Sequence, residues 1–229
     1  CRVDGAAACA VALRCKQNCQ RFMINPMNKR NALKTIAVSA IWTGAAGLFV
    51  ACSEGAPKFT AIDITGADYA KDFALVDHNG QARTLKDFHG KVVMMFFGYT
   101  QCPDVCPTSM TEMVAIKKLL GKDGSRLQGL FVTIDPGRDK ADMLKAYMEN
   151  FDPTFLALLP APDQLAALAK DYKVYYKKVD GPTPTSYTMD HTAGSYVYDP
   201  QGKLRLFTRY GTKPELTAAD IQMLLKLAG

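Results

Sequence analysis

The chain has 229 residues, 48% of them apolar, enough for one globular domain of roughly 150 to 180 residues with a further segment in front of it. Its formal charge is +6, but residues 1–52 carry seven Lys/Arg against one Asp, whereas residues 53–229 carry 21 basic and 21 acidic side chains. The excess stands ahead of the domain, so the folded part has no basic footprint and nucleic acid is excluded as a partner.

Residues 1–26 hold Cys1, Cys9, Cys15 and Cys19 at irregular spacing. Without paired CxxC units or a flanking fold, a zinc knuckle is disfavoured. This stretch stands upstream of a signal layout with its own Met27, and the expectation is translated sequence ahead of the true start. Met27-Asn28-Lys29-Arg30 and Lys34 form a short basic region, followed by the apolar run Thr35 to Ala51 and then Cys52. That is the order of an export signal. The small residues up to Ala51 resemble a bacterial lipobox, in which Cys52 is lipidated and becomes the mature N-terminus, although Phe49 stands where such motifs usually have Leu. The alternative is an uncleaved anchor of about 17 apolar residues, at the short end for crossing a bilayer. With the basic flank inside, either arrangement anchors the protein in the cell envelope with its domain facing the periplasm. Residues 53–60 then form a spacer, and the domain occupies 61–229.

Within the domain, Phe73 to Asp77 predicts the first arm of a hairpin turned by His78-Asn79-Gly80. Lys91 to Tyr99, "KVVMMFFGY", is an unbroken apolar run of strand length, the mark of a central strand covered on both faces. Met110, Met113, Val114, Ile116 and Leu120 recur at helical spacing over Thr108 to Leu120. Leu127 to Asp135 predicts a second buried strand and Asp139 to Phe151 a second helix. A short apolar run, "TFLALLP", precedes a third helix over Asp163 to Tyr172 and a strand in "KVYYKKV". Two strands surround the turn Asp199-Pro200-Gln201-Gly202, and Thr212 to Leu227 closes the chain as a helix. Strands alternating with helices, then a hairpin and a helix, predict an α/β fold with a mixed central sheet flanked by helices.

With the four upstream cysteines and Cys52 set aside, Cys102 and Cys106 remain. One short loop makes a poor structural framework, so this pair is expected to be chemical. It lies after the first central strand and at the entry to a helix, where thioredoxin-like folds place their redox centre and where helix N–H groups lower a thiolate's pKa. Pro107 suits the first helical position, with Cys106 at the cap and Pro103-Asp104-Val105 folding Cys102 back towards it. Such a pair closes as a disulfide or holds a soft ion, copper(I) or zinc. Two sulfurs and an imidazole satisfy copper(I) at three-coordination, whereas zinc seeks a fourth ligand.

There are three histidines. His78 in a hairpin turn and His89 before Gly90 read as surface residues. His191 stands in a polar loop before an apolar strand, and in a thioredoxin-like sheet that loop faces the cysteine-bearing one, which favours it as a third ligand.

Together, "FFGYTQCPDVCP", "VTIDPGRD" and "DHTAGSYVYDPQGKL" resemble the Sco/SenC family of copper-binding cytochrome c oxidase assembly proteins over residues 60 to 227. The resemblance implies a thioredoxin-like fold and copper ligands at Cys102, Cys106 and His191, with copper held as Cu(I), Cu(II) or both. It further implies delivery of copper to the CuA-bearing subunit of cytochrome c oxidase or another cuproprotein, or reduction of that centre's cysteines by the Cys102–Cys106 pair. Other copper or thiol carriers are implied as partners. Gly137 departs from the pattern, which tends to have a larger residue there. Asp104, Asp135 and Asp190 are candidates to tune the imidazole or form a docking surface. Against that, Asp135 with Arg138 also reads as a loop-stabilising ion pair or helix cap. Met94, Met95, Met110 and Met113 fit core packing better than thioether ligation.

Two other functions compete. A copper-independent thiol-disulfide oxidoreductase of the envelope needs only Cys102 and Cys106, so His191 discriminates it from a copper carrier. A peroxidase of the peroxiredoxin type is disfavoured by the close spacing of the cysteines and by "MFFGYTQC" ending at Cys102, which lacks the Pro-x-x-x-Thr-x-x-Cys pattern.

Overall fold

The computed structural model describes residues 57–183 and 186–229. Residues 1–26 and the basic and apolar segment ending at Cys52 lie outside them. Among the described residues no helix is long and apolar enough to cross a membrane.

The sheet is built outward from β4 (Val92–Gly98) and β5 (Leu127–Thr133), each seven residues long and buried throughout. They run parallel, Val92 opposite Leu127 and Gly98 opposite Thr133. Side chains leaving both faces of a central strand must meet apolar cover, so "VVMMFFG" carries no polar alternation. Parallel β6 (Leu156–Leu159) lies beside β5, and antiparallel β2 (Leu75–Asp77) and β3 (Ala82–Arg83) complete that edge. On the other side of β4 lie antiparallel β9 (Gly194–Tyr198), β10 (Leu204–Arg209) and the two-residue β1 (Ile62–Asp63), giving the order β1-β10-β9-β4-β5-β6-β2-β3. The mixed α/β architecture is therefore as the sequence predicts.

Four α-helices flank the sheet among the described residues: α1 (Val105–Leu119), α2 (Ala141–Glu149), α3 (Pro162–Asp171) and α4 (Pro214–Leu227). α1 and α4 pack on each other and on β4, and α2 packs on β6. Met94, Met95, Met110 and Met113 are all buried in the core. The turn between β9 and β10 is held by Asp199, whose carboxylate accepts from the N–H groups of Gln201 and Lys203. Gly202 supplies the φ of +74° that this turn requires. At the domain's entry, the N–H groups of Thr60 and Ala61 donate to the buried Asp220 carboxylate on α4.

Two strands escape the sequence reading. β1 is too short to show a period. β8 (Tyr187–His191) pairs with β7 (Tyr176–Asp180) in a separate two-stranded ribbon, Tyr176 opposite His191 and Asp180 opposite Tyr187. His191 is thus the last residue of a strand and not part of a loop. His78 also departs from expectation: it is half-buried, and its Nδ1 accepts from the N–H of Ala157 at 3.1 Å.

Candidate metal centre

β4 ends at Gly98, and the chain turns through Tyr99-Thr100-Gln101 into Cys102. Gly98 must be glycine for a local reason: a Cβ there would stand 2.8 Å from Cys106 Sγ and equally close to Phe96. The missing side chain is the seat of the Cys106 sulfur.

The loop is shaped by Asp139, a buried carboxylate that does not stand out in the sequence. It accepts from the hydroxyls of Thr100 and Thr133, each at 2.6 Å, and from the N–H of Thr100 at 3.2 Å. One side chain thus ties the end of β5 to the residue two before Cys102. It closes the stretch "VTIDPGRD", six residues past the end of β5, and its burial is decided by tertiary packing.

The helix begins earlier than its apolar period suggests. Asp104 is the N-cap residue, Val105 the first helical residue and Cys106 the second, which places Pro107 third. Proline is tolerated there because none of the first four N–H groups of a helix has an intrahelical acceptor. Asp104 is exposed and makes no capping bond through its side chain. The N–H of Cys106 points instead at Cys102 Sγ, 3.4 Å away, as first-turn N–H groups do towards an electron-rich ligand atom.

His191 meets this pair from the ribbon. Its Nε2 lies 3.4 Å from Cys106 Sγ, and its ring stands edge-on to Phe96 and Tyr99. Nδ1 is 3.0 Å from the carbonyl oxygen of Thr192. A carbonyl can only accept, so Nδ1 carries the hydrogen and Nε2 presents its lone pair to the sulfurs. Burial holds the His191 pKa below the ordinary histidine value, against the opposing influence of the Thr192 carbonyl and Asp190. The ring is therefore neutral at pH 7. Cys102 Sγ, Cys106 Sγ and a His191 ring nitrogen all lie within 4.8 Å of one another. Metal bonds of about 2.0 to 2.3 Å to a shared ion leave such ligands roughly 3.5 to 4 Å apart, so the three residues fit one ion with small adjustments.

One expectation is reversed. Cys106 is fully buried, and that burial pushes its thiol pKa far above the ordinary range despite its place at a helix N-terminus. Desolvation of the sulfur outweighs the helix end, so Cys106 ionises when a cation arrives to share the site. Cys102 is half-exposed, and both cysteines are free thiols.

The remaining acids separate by distance and exposure. Asp190 is exposed on the ribbon opposite Lys177 and influences His191 only through its charge. Asp135 is buried and pairs with Arg138, Oδ2 to Nε at 2.5 Å, so the ion-pair reading holds for that pair. Gly137 causes no difficulty, because a Cβ there would make only an ordinary 3.5 Å contact with Asp135. His89 is exposed and neither it nor His78 joins the cluster.

The family model SCO1/SenC matches residues 63–226. The chain belongs to the SCO1/SenC family. Among curated relatives, a SCO2-like protein of Rickettsia felis is 32% identical over 179 residues, covering 76% of this chain and 87% of the relative. The mitochondrial SCO2 homolog of Homo sapiens is 36% identical over 141 residues, 61% of this chain, and the chain spans only about half (52%) of that relative's length. Among solved structures, Bradyrhizobium japonicum ScoI with copper bound is 40% identical with a TM-score of 0.61, covering 67% of this chain and 97% of that one. Yeast Sco1 with copper bound is 31% identical with a TM-score of 0.61, covering 68% and 87%. This SCO1/SenC chain therefore shares its thioredoxin-like fold with proteins solved in a copper-bound state.

Proposed function

We propose that this protein is a copper-binding assembly factor for cytochrome c oxidase, holding one copper ion through Cys102, Cys106 and His191. The observation that carries the reading is the convergence of two thiol sulfurs and one unprotonated imidazole nitrogen within 4.8 Å. Its membership of the family and its likeness to copper-bound relatives support the choice of metal. Soft sulfur donors favour copper(I), and three donors suit it where zinc requires a fourth. Binding copper(I) as a bis-thiolate expels two protons. The reverse uptake of protons helps release the ion to a recipient cysteine pair, such as the one in the CuA-bearing subunit. The cysteines also allow a second role: the dithiol is oxidised to a disulfide as a partner disulfide is reduced to two thiols.

The proposed location is the periplasmic side of a membrane, anchored through lipidated Cys52 or an uncleaved apolar segment. The signal-like order of residues 27–52 supports it. Deleting residues 1–26 should leave membrane association and copper binding intact, and loss of either on that deletion would overturn the assignment of Met27 as the start.

The function is tested by reducing the protein, loading copper anaerobically and measuring metal content. One copper per chain is expected, none with Cys102→Ser or Cys106→Ser, and unchanged stoichiometry in both variants would remove the site from this place. In cells at limiting copper, His191→Ala should fail to mature the oxidase while the dithiol still exchanges with a model disulfide. An active oxidase in that strain would favour the reductase reading.

A further inference from the structure

The two sulfurs and the nitrogen of the centre come from parts of the fold built separately. Cys102 and Cys106 are fixed by β4, α1 and Asp139. His191 arrives at the end of β8, and the β7–β8 ribbon has no ladder with the main sheet. A strand rises about 3.3 Å per residue, so Tyr187 and His191 stand roughly 13 Å apart along β8. His191 is held on its far side by the chain running through Thr192 and Ala193 into β9 at Gly194, and Tyr187 fixes the other end of β8 and so the direction from which His191 arrives.

Tyr187 is held by Arg138. Its Nη1 donates to the Tyr187 carbonyl at 3.0 Å and to Gln101 Oε1 at 3.1 Å, and Gln101 is the residue before Cys102. Its Nε donates to Asp135 Oδ2, and the Tyr187 hydroxyl donates to Asp135 Oδ1 at 3.0 Å, closing a ring of contacts. The guanidinium lies 3.4 Å from the centre of the Tyr187 ring and 5.7 Å from that of Tyr99. An ion pair serving only its own loop would need Asp135 alone. Here one planar group binds three chain segments: the turn after β5, the loop entering Cys102 and the strand ending in His191.

We infer that Arg138 is a positioning residue for the third ligand: by bridging Gln101 and Tyr187 it sets the His191 nitrogen over the dithiol. The inference rests on the reading of Cys102, Cys106 and His191 as a copper site and extends it to a residue that touches none of the three donor atoms. Lysine at this position keeps the charge for Asp135 but offers no fork to span Gln101 and Tyr187 and no plane to stack on the tyrosine ring.

The test uses Arg138→Lys and Tyr187→Phe, each alone and combined with His191→Ala. Metal-free protein is measured first, by the NMR signals of the His191 ring and the hydrogen exchange of the amides of β8. Copper(I) affinity is then measured by competition with a chromophoric chelator, with free-thiol titration alongside. Arg138→Lys is expected to shift the His191 signals, speed exchange along β8 and weaken copper(I) about tenfold or more, with both thiols still titrating. In the His191→Ala background it should cause no further loss, because it acts through that ring. Tyr187→Phe removes only the bond to Asp135 and should give a smaller change in the same direction. Unchanged His191 signals in Arg138→Lys, or the same loss of affinity with and without His191, would overturn the inference. Failure of the copper reading looks different: His191→Ala alone would then leave the affinity of the parent protein unaltered.

Discussion

The limb that carries the sulfurs and the limb that carries the nitrogen differ in how they are held. Cys106 is buried, its sulfur in a space left by Gly98 near the rings of Phe96 and Phe131, at the junction of a fully buried strand and a long helix. His191 ends β8, which alternates between half-buried and exposed residues and is tied down at Tyr187, opposite a β7 that is exposed beyond Tyr176. Shifting the Cys106 sulfur means disturbing the core, whereas moving the nitrogen means releasing the contacts of His191 with Phe96 and Tyr99 and those of Tyr187 with Arg138. A site divided in this way anchors one sulfur in the core and brings its third donor from a ribbon outside the main sheet.

Several substitutions break or sharpen this contrast. The largest effect belongs to the sulfurs: Cys106→Ser should abolish stoichiometric copper binding, measured by metal analysis after gel filtration, while the fold survives because serine is smaller. Next, Asp139→Ala should destabilise the domain by about 2 to 3 kcal/mol in urea unfolding, since it strands the buried hydroxyl of Thr133 together with the Thr100 hydroxyl and amide. It should also lower copper affinity. A neutral result would show that the cysteine loop is not held from the core side.

His191→Ala comes third. The unfolding free energy should change by less than about 1 kcal/mol, because the ring is only partly buried and its one backbone bond is to its neighbour. Copper(II) binding should fall steeply and copper(I) at least about tenfold. A stability loss as large as that of Asp139→Ala would erase the distinction between the limbs.

The smallest effect lies far from the centre and serves as a control. Burial lowers the His78 pKa, and its Nδ1 must stay unprotonated to accept from the N–H of Ala157. An unfolded histidine takes up a proton below about pH 6.5 whereas folded His78 resists, so stability falls as the pH drops through that value. His191 titrates with the same sign. His78→Asn, whose amide oxygen can still accept, should therefore reduce the difference between urea midpoints at pH 7.5 and 5.5 without removing it, and should leave copper affinity unchanged at pH 7.5.

The unequal legibility of these regions has the same physical root. "KVVMMFFGY" and the cysteines behind it are legible because a central strand must be apolar on both faces and the turn from strand to helix fixes where the next residues lie. β8 is not legible in that way: "YTMDH" is five residues long, none of them fully buried, and is bounded by polar residues that look like a loop. The direction of the Cys106 shift is misjudged from sequence because a helix end is visible there and the burial of the sulfur against Gly98 is not. Asp135 and Arg138 are visible as a pair, but their bonds to Gln101 and Tyr187 span 37 and about 50 positions of chain and exist only after folding. Asp139 lies within "VTIDPGRD", and nothing local distinguishes it from a solvated acid.

Because Asp139 and two threonines shape the cysteine loop, the centre already has the form that receives the ion. Small zinc domains behave in the opposite way, since removing their metal removes their fold. Here a chelator should leave a fully folded chain, and copper should raise its stability only by mass action, in proportion to how far the free ion exceeds the dissociation constant. A vessel that keeps its shape when emptied can be loaded and unloaded repeatedly without being remade, and the direction of each transfer is then decided by the relative affinities of donor and recipient alone.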